Sequence, residues 1–296
     1  NHEAVAPREL SLATLGRSPA LAETRKRLAQ LAQSGAPLLL RGERGMRPEL
    51  FARLLAAAGA PFVEGSEMMV GASAETLARA AGGVLFIGDL SLFGRAEQKN
   101  LEFLLARSDK HKARVVSFSS VDGRTLVEKQ EFDAGMVARL SELVFKLPAL
   151  RDFAEDVPDL AALTLVQLVE TRACPPRRFS VAALNALRHH SWPGNLAELD
   201  SVVRNLALGA LDEDIGLEDV ERVVAAHAAS SPPPEIALDR PYREARETFE
   251  RLYFQHLLAR ENGSMSKVAE RSGLERTHLY RKLKALGLPV GRREES

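Results

Sequence analysis

Short apolar runs alternate with stretches of helical spacing through the first half of the chain. PLLLRG (37–42), VLFI (84–87), RVVSF (114–118) and LVFKL (143–147) have the look of buried strands, and Phe62-Val63 reads as a further short one. Between them, apolar residues recur at helical spacing over 21–31, 48–58 and 95–107. Gly35-Ala36-Pro37 breaks the first of these, and Pro48 is acceptable in the opening turn of the second. Strands alternating with helices predict a parallel sheet covered on both faces.

Beyond Pro148 the strands are expected to stop. Helical patterns cover 154–172, 180–190, 195–208 and 216–228 and predict a helical subdomain. Ser180 is placed to cap VAALNALRHH. In WPGNLAEL the pair Pro193-Gly194 makes a turn, Asn195 is expected to cap, and Glu198 stands where a capping box wants it. SSPPPE (230–235) is a linker by composition. A long helix then runs to Arg260, with Tyr242, Ala245, Phe249, Leu252, His256 and Ala259 on one stripe and Asn262-Gly263 ending it. Ser264 is expected to cap MSKVAERS, Gly273-Leu274 makes a turn, and Glu275 to Leu286 form a last helix. Two short helices joined through glycine after a long amphipathic one read as a helix-turn-helix. The expected parts are a linker at 1–15, an α/β part at 16–150, a helical part at 151–229, a linker at 230–240, and a helix-turn-helix domain at 241–296.

Composition narrows the class. The 296 residues are 45% hydrophobic and 27% charged, which is ordinary for a globular protein, and Lys+Arg and Asp+Glu both number 40. Charge is nevertheless uneven. Residues 212–221 hold Asp212, Glu213, Asp214, Glu218, Asp219 and Glu221 with no basic residue, whereas 271–293 hold Arg271, Arg276, Arg281, Lys282, Lys284, Arg292 and Arg293 against Glu275. A basic end on a neutral protein is the footprint of polyanion binding or of a solvated face. Cys174 is the single cysteine, which excludes an intrachain disulfide and argues against a thiolate metal site. His189-His190 lack further ligands nearby, so no metal is expected. No apolar run approaches membrane-spanning length and NHEAVAPREL lacks a signal-peptide core, so a cytoplasmic protein is expected.

In the final helix Leu279, Leu283 and Leu286 share one face and should pack on Val268, Ala269 and Leu274. Arg276, Thr277, His278, Tyr280, Arg281, Lys282 and Lys284 are left on the remaining surface. A helix fits the major groove, where arginine can donate bidentately to guanine and lysine can meet phosphate. An ordinary basic helix on a small bundle would show the same spacing, and spacing alone leaves both readings open. The segment NGSMSKVAERSGLERTHLYRKLKALGL resembles the Fis-type helix-turn-helix that ends bacterial enhancer-binding proteins, and PYREARETFERLYFQHLL resembles the NtrX branch of that family. The resemblance implies that the 241–260 helix pairs two chains; its stripe of Tyr242, Phe249 and Leu252 exceeds what two short following helices can cover and is expected in the dimer contact. The resemblance places Arg276, His278, Tyr280 and Arg281 on DNA.

Upstream, RSPALAETRKRLAQLAQSGAPLLLRGERG, GGVLFIGDL, FKLPALRDFAEDVPDL and SWPGNLAELDSVVRNLA resemble the AAA+ domain of sigma-54-dependent activators over roughly 16–228. The departures from that family are as informative as the match. Its phosphate loop reads roughly GESGTGKE, where glycines permit the turn and lysine reaches the β- and γ-oxygens. This chain has Gly42-Glu43-Arg44-Gly45-Met46-Arg47-Pro48-Glu49, with Pro48 at the lysine and Arg47 at a glycine. The family's GGTLFLDE holds magnesium on its aspartate; Gly88 stands there, with Asp89 at the glutamate. A one-residue slip that offered Asp89 to the metal would turn its side chain to the other strand face. Ser120 stands where asparagine is usual, Asp133 replaces the first of two arginines although Arg139 remains, and Ala197 replaces a nucleotide-sensing arginine. The GAFTGA loop has no counterpart, since only 64–81 connect Val63 to Gly82.

The fold class expected is therefore a degenerate AAA+ domain, with a parallel sheet, helices on both faces and a helical lid, followed by a Fis-type domain. The expected function is sequence-specific transcription regulation without a catalytic site, bound cofactor, ATP hydrolysis or sigma-54 remodelling. Double-stranded DNA, a second copy of the chain and RNA polymerase are the expected partners. The resemblance adds a sensor kinase acting through a receiver domain before residue 1. The competing reading is a working ATPase that remodels sigma-54 polymerase; a third treats the central domain as an oligomerisation scaffold.

Overall fold

Ser18 opens the first helix: its hydroxyl accepts the Leu21 N–H, and Pro19 supplies a fixed φ at the first helical position of α1 (Pro19–Ala32). The computed structural model describes residues 16–65, 74–230, 242–261, 264–286 and 288, in two units, 1–227 and 228–296. After α1 come β1 (Leu38–Arg41), α2 (Pro48–Ala52), β2 (Phe62–Glu64), α3 (Ala74–Arg79), β3 (Val84–Asp89), α4 (Arg95–His111), β4 (Arg114–Ser119), α5 (Gly123–Lys129), α6 (Ala134–Leu140) and β5 (Leu143–Lys146). The strands form one parallel sheet in the order β2-β3-β4-β1-β5.

Period-two alternation sorts the apolar runs onto both faces of this sheet. Leu38, Leu40, Val84, Phe86, Val116 and Phe118 enter one buried cluster, and Leu39, Leu85, Ile87 and Val115 enter another. A wholly parallel sheet needs such double cover. The helix expected over 48–58 is shorter. After Ala52 the chain tightens to a 3-10 turn over Arg53–Leu55, and Ala56 is already extended.

The helical part begins with a 3-10 segment, Leu150–Asp156, and continues as α7 (Val157–Glu170), β6 (Arg178–Phe179), α8 (Val181–His189), α9 (Asn195–Gly209), β7 (Asp214–Ile215) and α10 (Leu217–Ser230). Contrary to the expectation that strands stop at Pro148, β6 and β7 pair in parallel through Arg178↔Asp214 and Phe179↔Ile215. Two residues each are too few to show a period, and a long-range pairing supplies what local pattern does not. Ser180 caps α8 by accepting the Ala183 N–H. Leu160, Leu165, Trp192, Leu199, Val202 and Leu206 join the same buried cluster as Leu38, Leu40 and Phe118, so this part and one sheet face share a continuous core.

The second unit holds α11 (Tyr242–Arg260), α12 (Met265–Ser272) and α13 (Arg276–Ala285). Leu279, Leu283 and Leu286 pack with Val268, Ala269 and partly buried Leu274, over Phe254 and Leu257 of α11. Gly273, at φ 68°, turns the chain between α12 and α13. Ser264 occupies the cap position of α12 but its side chain makes no cap hydrogen bond. Of the linkers expected at 1–15 and 230–240, Ser230 ends α10, and the rest, with the helix end at Asn262-Gly263, lies outside the described residues. Among the described residues no helix is long and apolar enough to cross a membrane.

Candidate nucleic-acid interface and phosphate loop

At about 100° per residue, Thr277, His278, Arg281 and Lys284 of α13 fall opposite Leu279 and Leu283, with Tyr280 at the edge of that face and Arg276 in the first turn beside Leu283. Arg276, Thr277, His278, Arg281 and Lys284 are exposed, and Tyr280 is half-buried. The Arg276 guanidinium donates to Ser266 Oγ, which ties the start of α13 to α12. Lys282 sits beside the apolar face, and its ammonium lies 2.6 Å from Glu250 Oε1 on α11. Glu250 also takes Arg246 at 2.9 Å, and these cations hold its carboxyl below the usual range although burial pushes the other way. Lys282 therefore secures α13 to α11 and Arg276 secures it to α12, while Arg281 and Lys284 are exposed.

The stripe expected on α11 is only partly the one that packs inward. Phe254 and Leu257 are buried, whereas Tyr242 is 78% and Phe249 49% exposed, and Leu252 is intermediate. Phe249 stacks on Tyr253 with centroids 5.9 Å apart. One helix thus carries two apolar faces.

In the first unit, β1 runs into the loop 42–47. Met46 turns inward and is 2% exposed. Its Sδ accepts the Glu43 N–H at 3.0 Å and lies 2.3 Å from where a Cβ on Gly42 would stand. Arg47 takes a left-handed conformation (φ 53°), Pro48 follows with no N–H, and Leu50 N donates to Arg47 O at 3.1 Å. The Arg47 guanidinium meets Glu49 at 2.9 Å and Asp200 of α9 at 2.7 Å. A phosphate cradle needs open, inward-facing N–H groups. As built, this loop encloses a thioether, and Arg47 is engaged with two carboxylates.

The loop is also joined directly to α9. Ala197 N donates to Gly45 O at 2.8 Å, and a Cβ on Gly45 would meet Gly194 O at 2.2 Å. Asn195 is not the cap expected of it. Gly194 holds the cap position and its N–H donates to Glu198 Oε2 at 2.7 Å. Asn195, fully buried at φ 54°, accepts Leu150 N and donates to Glu43 Oε2 (3.2 Å) and Arg44 O (3.1 Å). Asparagine tolerates that conformation, and the Trp192-Pro193-Gly194 turn puts its amide inside rather than at the helix end. Arg151 donates to both oxygens of Glu43 at 2.8 and 2.5 Å. Arg151, Asn195 and Asp200 are the contacts missed in the sequence; the family-like strings contain all three, but local pattern assigns none of them to the loop.

At the end of β3, Gly88 has φ 94° and the register with β4 shifts between Phe86 and Asp89, so that Asp89 faces Phe118. The regular strand assumed from sequence is broken by a bulge, and the face argument does not apply there. The Asp89 carboxylate accepts Ser91 N (2.9 Å), Ser120 N (3.4 Å) and Ser120 Oγ (3.1 Å). Asp133 caps α6 by accepting Met136 N, and Arg139 donates to Leu105 O. His190 stacks edge-on against buried Trp192 and pairs with Glu198 at 3.4 Å.

Residues 15–150 match the sigma-54 interaction domain, 151–236 the AAA+ ATPase lid domain, and 245–286 the bacterial regulatory protein Fis family. The chain is 30% identical to the nitrogen assimilation regulatory protein NtrX of Azorhizobium caulinodans, over 93% of this chain and 69% of that protein. It is 27% identical to the DNA-binding transcriptional regulator NtrC of Bradyrhizobium sp., over 95% and 71%. Among solved structures it is similar to NtrX from Brucella abortus in complex with ATP, with a TM-score of 0.59, 27% identity, and coverage of 95% of this chain and 70% of that one. The chain belongs to the NtrC/NtrX family of DNA-binding response-regulator transcription factors, built from a sigma-54 interaction domain, an AAA+ lid and a Fis-type helix-turn-helix.

Proposed function

We propose that the protein regulates transcription by binding specific DNA as a homodimer, without hydrolysing ATP and without remodelling sigma-54 polymerase. Promoter occupancy and contact with RNA polymerase would carry the output, and a sensor kinase acting through a receiver domain would supply the signal. DNA reading is assigned to 241–296, with Arg276, Thr277, His278, Tyr280, Arg281 and Lys284 facing the groove. The exposed Tyr242, Phe249 and Tyr253 stripe supports pairing through α11, since two short following helices leave it uncovered.

The observation that carries the ATP-independent part is Met46 inside the loop 42–47. Phosphoryl transfer relies on positioning and charge neutralisation, so the loop lysine and the metal-holding aspartate are the catalyst itself. Pro48 and Gly88 stand at those two positions, and neither side chain can donate to a phosphate or hold a cation. Ala197, at the sensing position, spends its N–H on Gly45 O. The similarity to an ATP complex of NtrX favours a second reading, an ATP-dependent activator with a divergent nucleotide site. Titrating labelled promoter DNA with the chain, with and without Mg·ATP, separates the two. The first reading expects one affinity in both conditions; an affinity that depends on Mg·ATP supports the second.

A further inference from the structure

We infer that the protein's own side chains and backbone hold the lid closed on the sheet domain, in the role a bound nucleotide would otherwise fill. This rests on the reading that the loop 42–47 does not take a nucleotide. Four connections cross from loop to lid: Arg47 to Asp200 (2.7 Å), Arg151 to Glu43 (2.5 and 2.8 Å), Asn195 to Glu43 and Arg44 O, and Ala197 N to Gly45 O (2.8 Å). Arg151 comes from the 3-10 segment that opens the lid and Asp200 from α9, so two separate lid elements hold the loop. Asp200 is itself braced by Thr164 Oγ1 of α7 at 3.3 Å.

The backbone conformation belongs to the same device. A left-handed Arg47 is disfavoured relative to the ordinary helical region, because its Cβ crowds the following carbonyl. That conformation persists where surrounding contacts over-determine it. Glu49 and Asp200 supply those contacts, and each is only partly exposed, so screening by water is reduced. Met46 completes the arrangement by joining the core that sheet and lid share. A nucleotide-bridged lid opens and closes with its ligand; this one has the bridge in its sequence and should stay shut whatever the nucleotide.

Hydrogen exchange on the intact chain tests this at residues 42–50 and 195–200. Slow exchange is expected without nucleotide, unchanged by millimolar Mg·ATP or Mg·ADP. Arg47→Met or Asp200→Asn should speed exchange at 195–200 on the order of tenfold, about one broken ion pair's worth of local opening. Because either variant could act by general destabilisation, thermal midpoints of both singles and the double are compared. Each single change should lower the midpoint by about 2–4 °C, and the double by little more than one alone. Unprotected amides at 195–200, protection that appears only with Mg·ATP, or fully additive midpoints would overturn the inference. Phosphate release is read in parallel. Turnover with protected amides would remove the ATP-independent reading and leave the clamp standing; free exchange without turnover would do the reverse.

Discussion

The Glu43 N–H donates to Met46 Sδ at 3.0 Å, so the first backbone donor after Gly42 is satisfied inside the loop by a side chain of the same loop. A P-loop of this length ordinarily turns such donors toward phosphate. Met46 instead packs into the core shared by sheet and lid. Truncating it to alanine removes most of a buried side chain and is expected to cost about 2–5 kcal/mol, read as a lower denaturant midpoint at unchanged slope. The same variant should gain no Mg·ATP binding by calorimetry, because Pro48 and Gly88 remain.

Acid should loosen the loop. Hydrogen bonds from Arg151 hold the Glu43 carboxyl below the usual glutamate range, against the opposing pull of burial and with help from Asn195. A depressed folded-state value means the pair stabilises the fold above the unfolded value, about 4.3, and that this stability is lost as pH falls through the folded value. Both side chains are nearly half exposed, so solvent screening keeps the pair to about 1 kcal/mol or less. Wild type should melt above Glu43→Gln at pH 7, and the two curves should meet on acidification below about pH 4. A constant gap across that range would show that Glu43 acts only through packing.

Arg281→Ala is expected to weaken the preferred DNA site by about 1–3 kcal/mol and to relax base preference at one position. Lys284→Ala should weaken all sequences alike and reduce the salt slope by about one. Lys282→Ala should instead lower the stability of the 241–296 unit, since its ammonium is spent on Glu250. Binding titrations at several salt concentrations, beside thermal melts, separate the three. Unchanged affinity in a folded Arg281→Ala protein would remove that residue from the interface.

Phe249→Asp places a charge in the exposed stripe of α11 while leaving Phe254 and Leu257 in the core. Sedimentation should show a dimer for the parent chain and a folded monomer for the variant, with cooperative binding to paired half-sites lost. A parent chain that stays monomeric at micromolar concentration, on DNA as well as off it, would contradict pairing through this face.

Much of this architecture is legible from local pattern. Leu38–Leu40, Val84–Ile87 and Val115–Phe118 alternate between two buried faces, and Leu279, Leu283 and Leu286 repeat on one helix face, so the strands and the last helix follow from spacing. The candidate sites are less legible, for a physical reason. Gly88, Arg47 and Asn195 all have positive φ, and the last two are not glycine, so residue type gives little warning. Their conformations are stabilised by partners far along the chain: Asp200 for Arg47, Leu150 and Glu43 for Asn195. Charge groups Lys282 with the DNA-facing residues; its ion pair with Glu250 of α11 sets it apart.

Steady-state phosphate release by the intact chain with Mg·ATP, with and without promoter DNA, bears most directly on the central claim. No release above the nucleotide's own rate is expected, and Pro48→Lys alone should stay equally silent because Gly88 and Ala197 still stand at the metal and sensing positions. Saturable release that is abolished by substituting Glu43, Arg47 or Asp89 would contradict the account and make this chain a working ATPase.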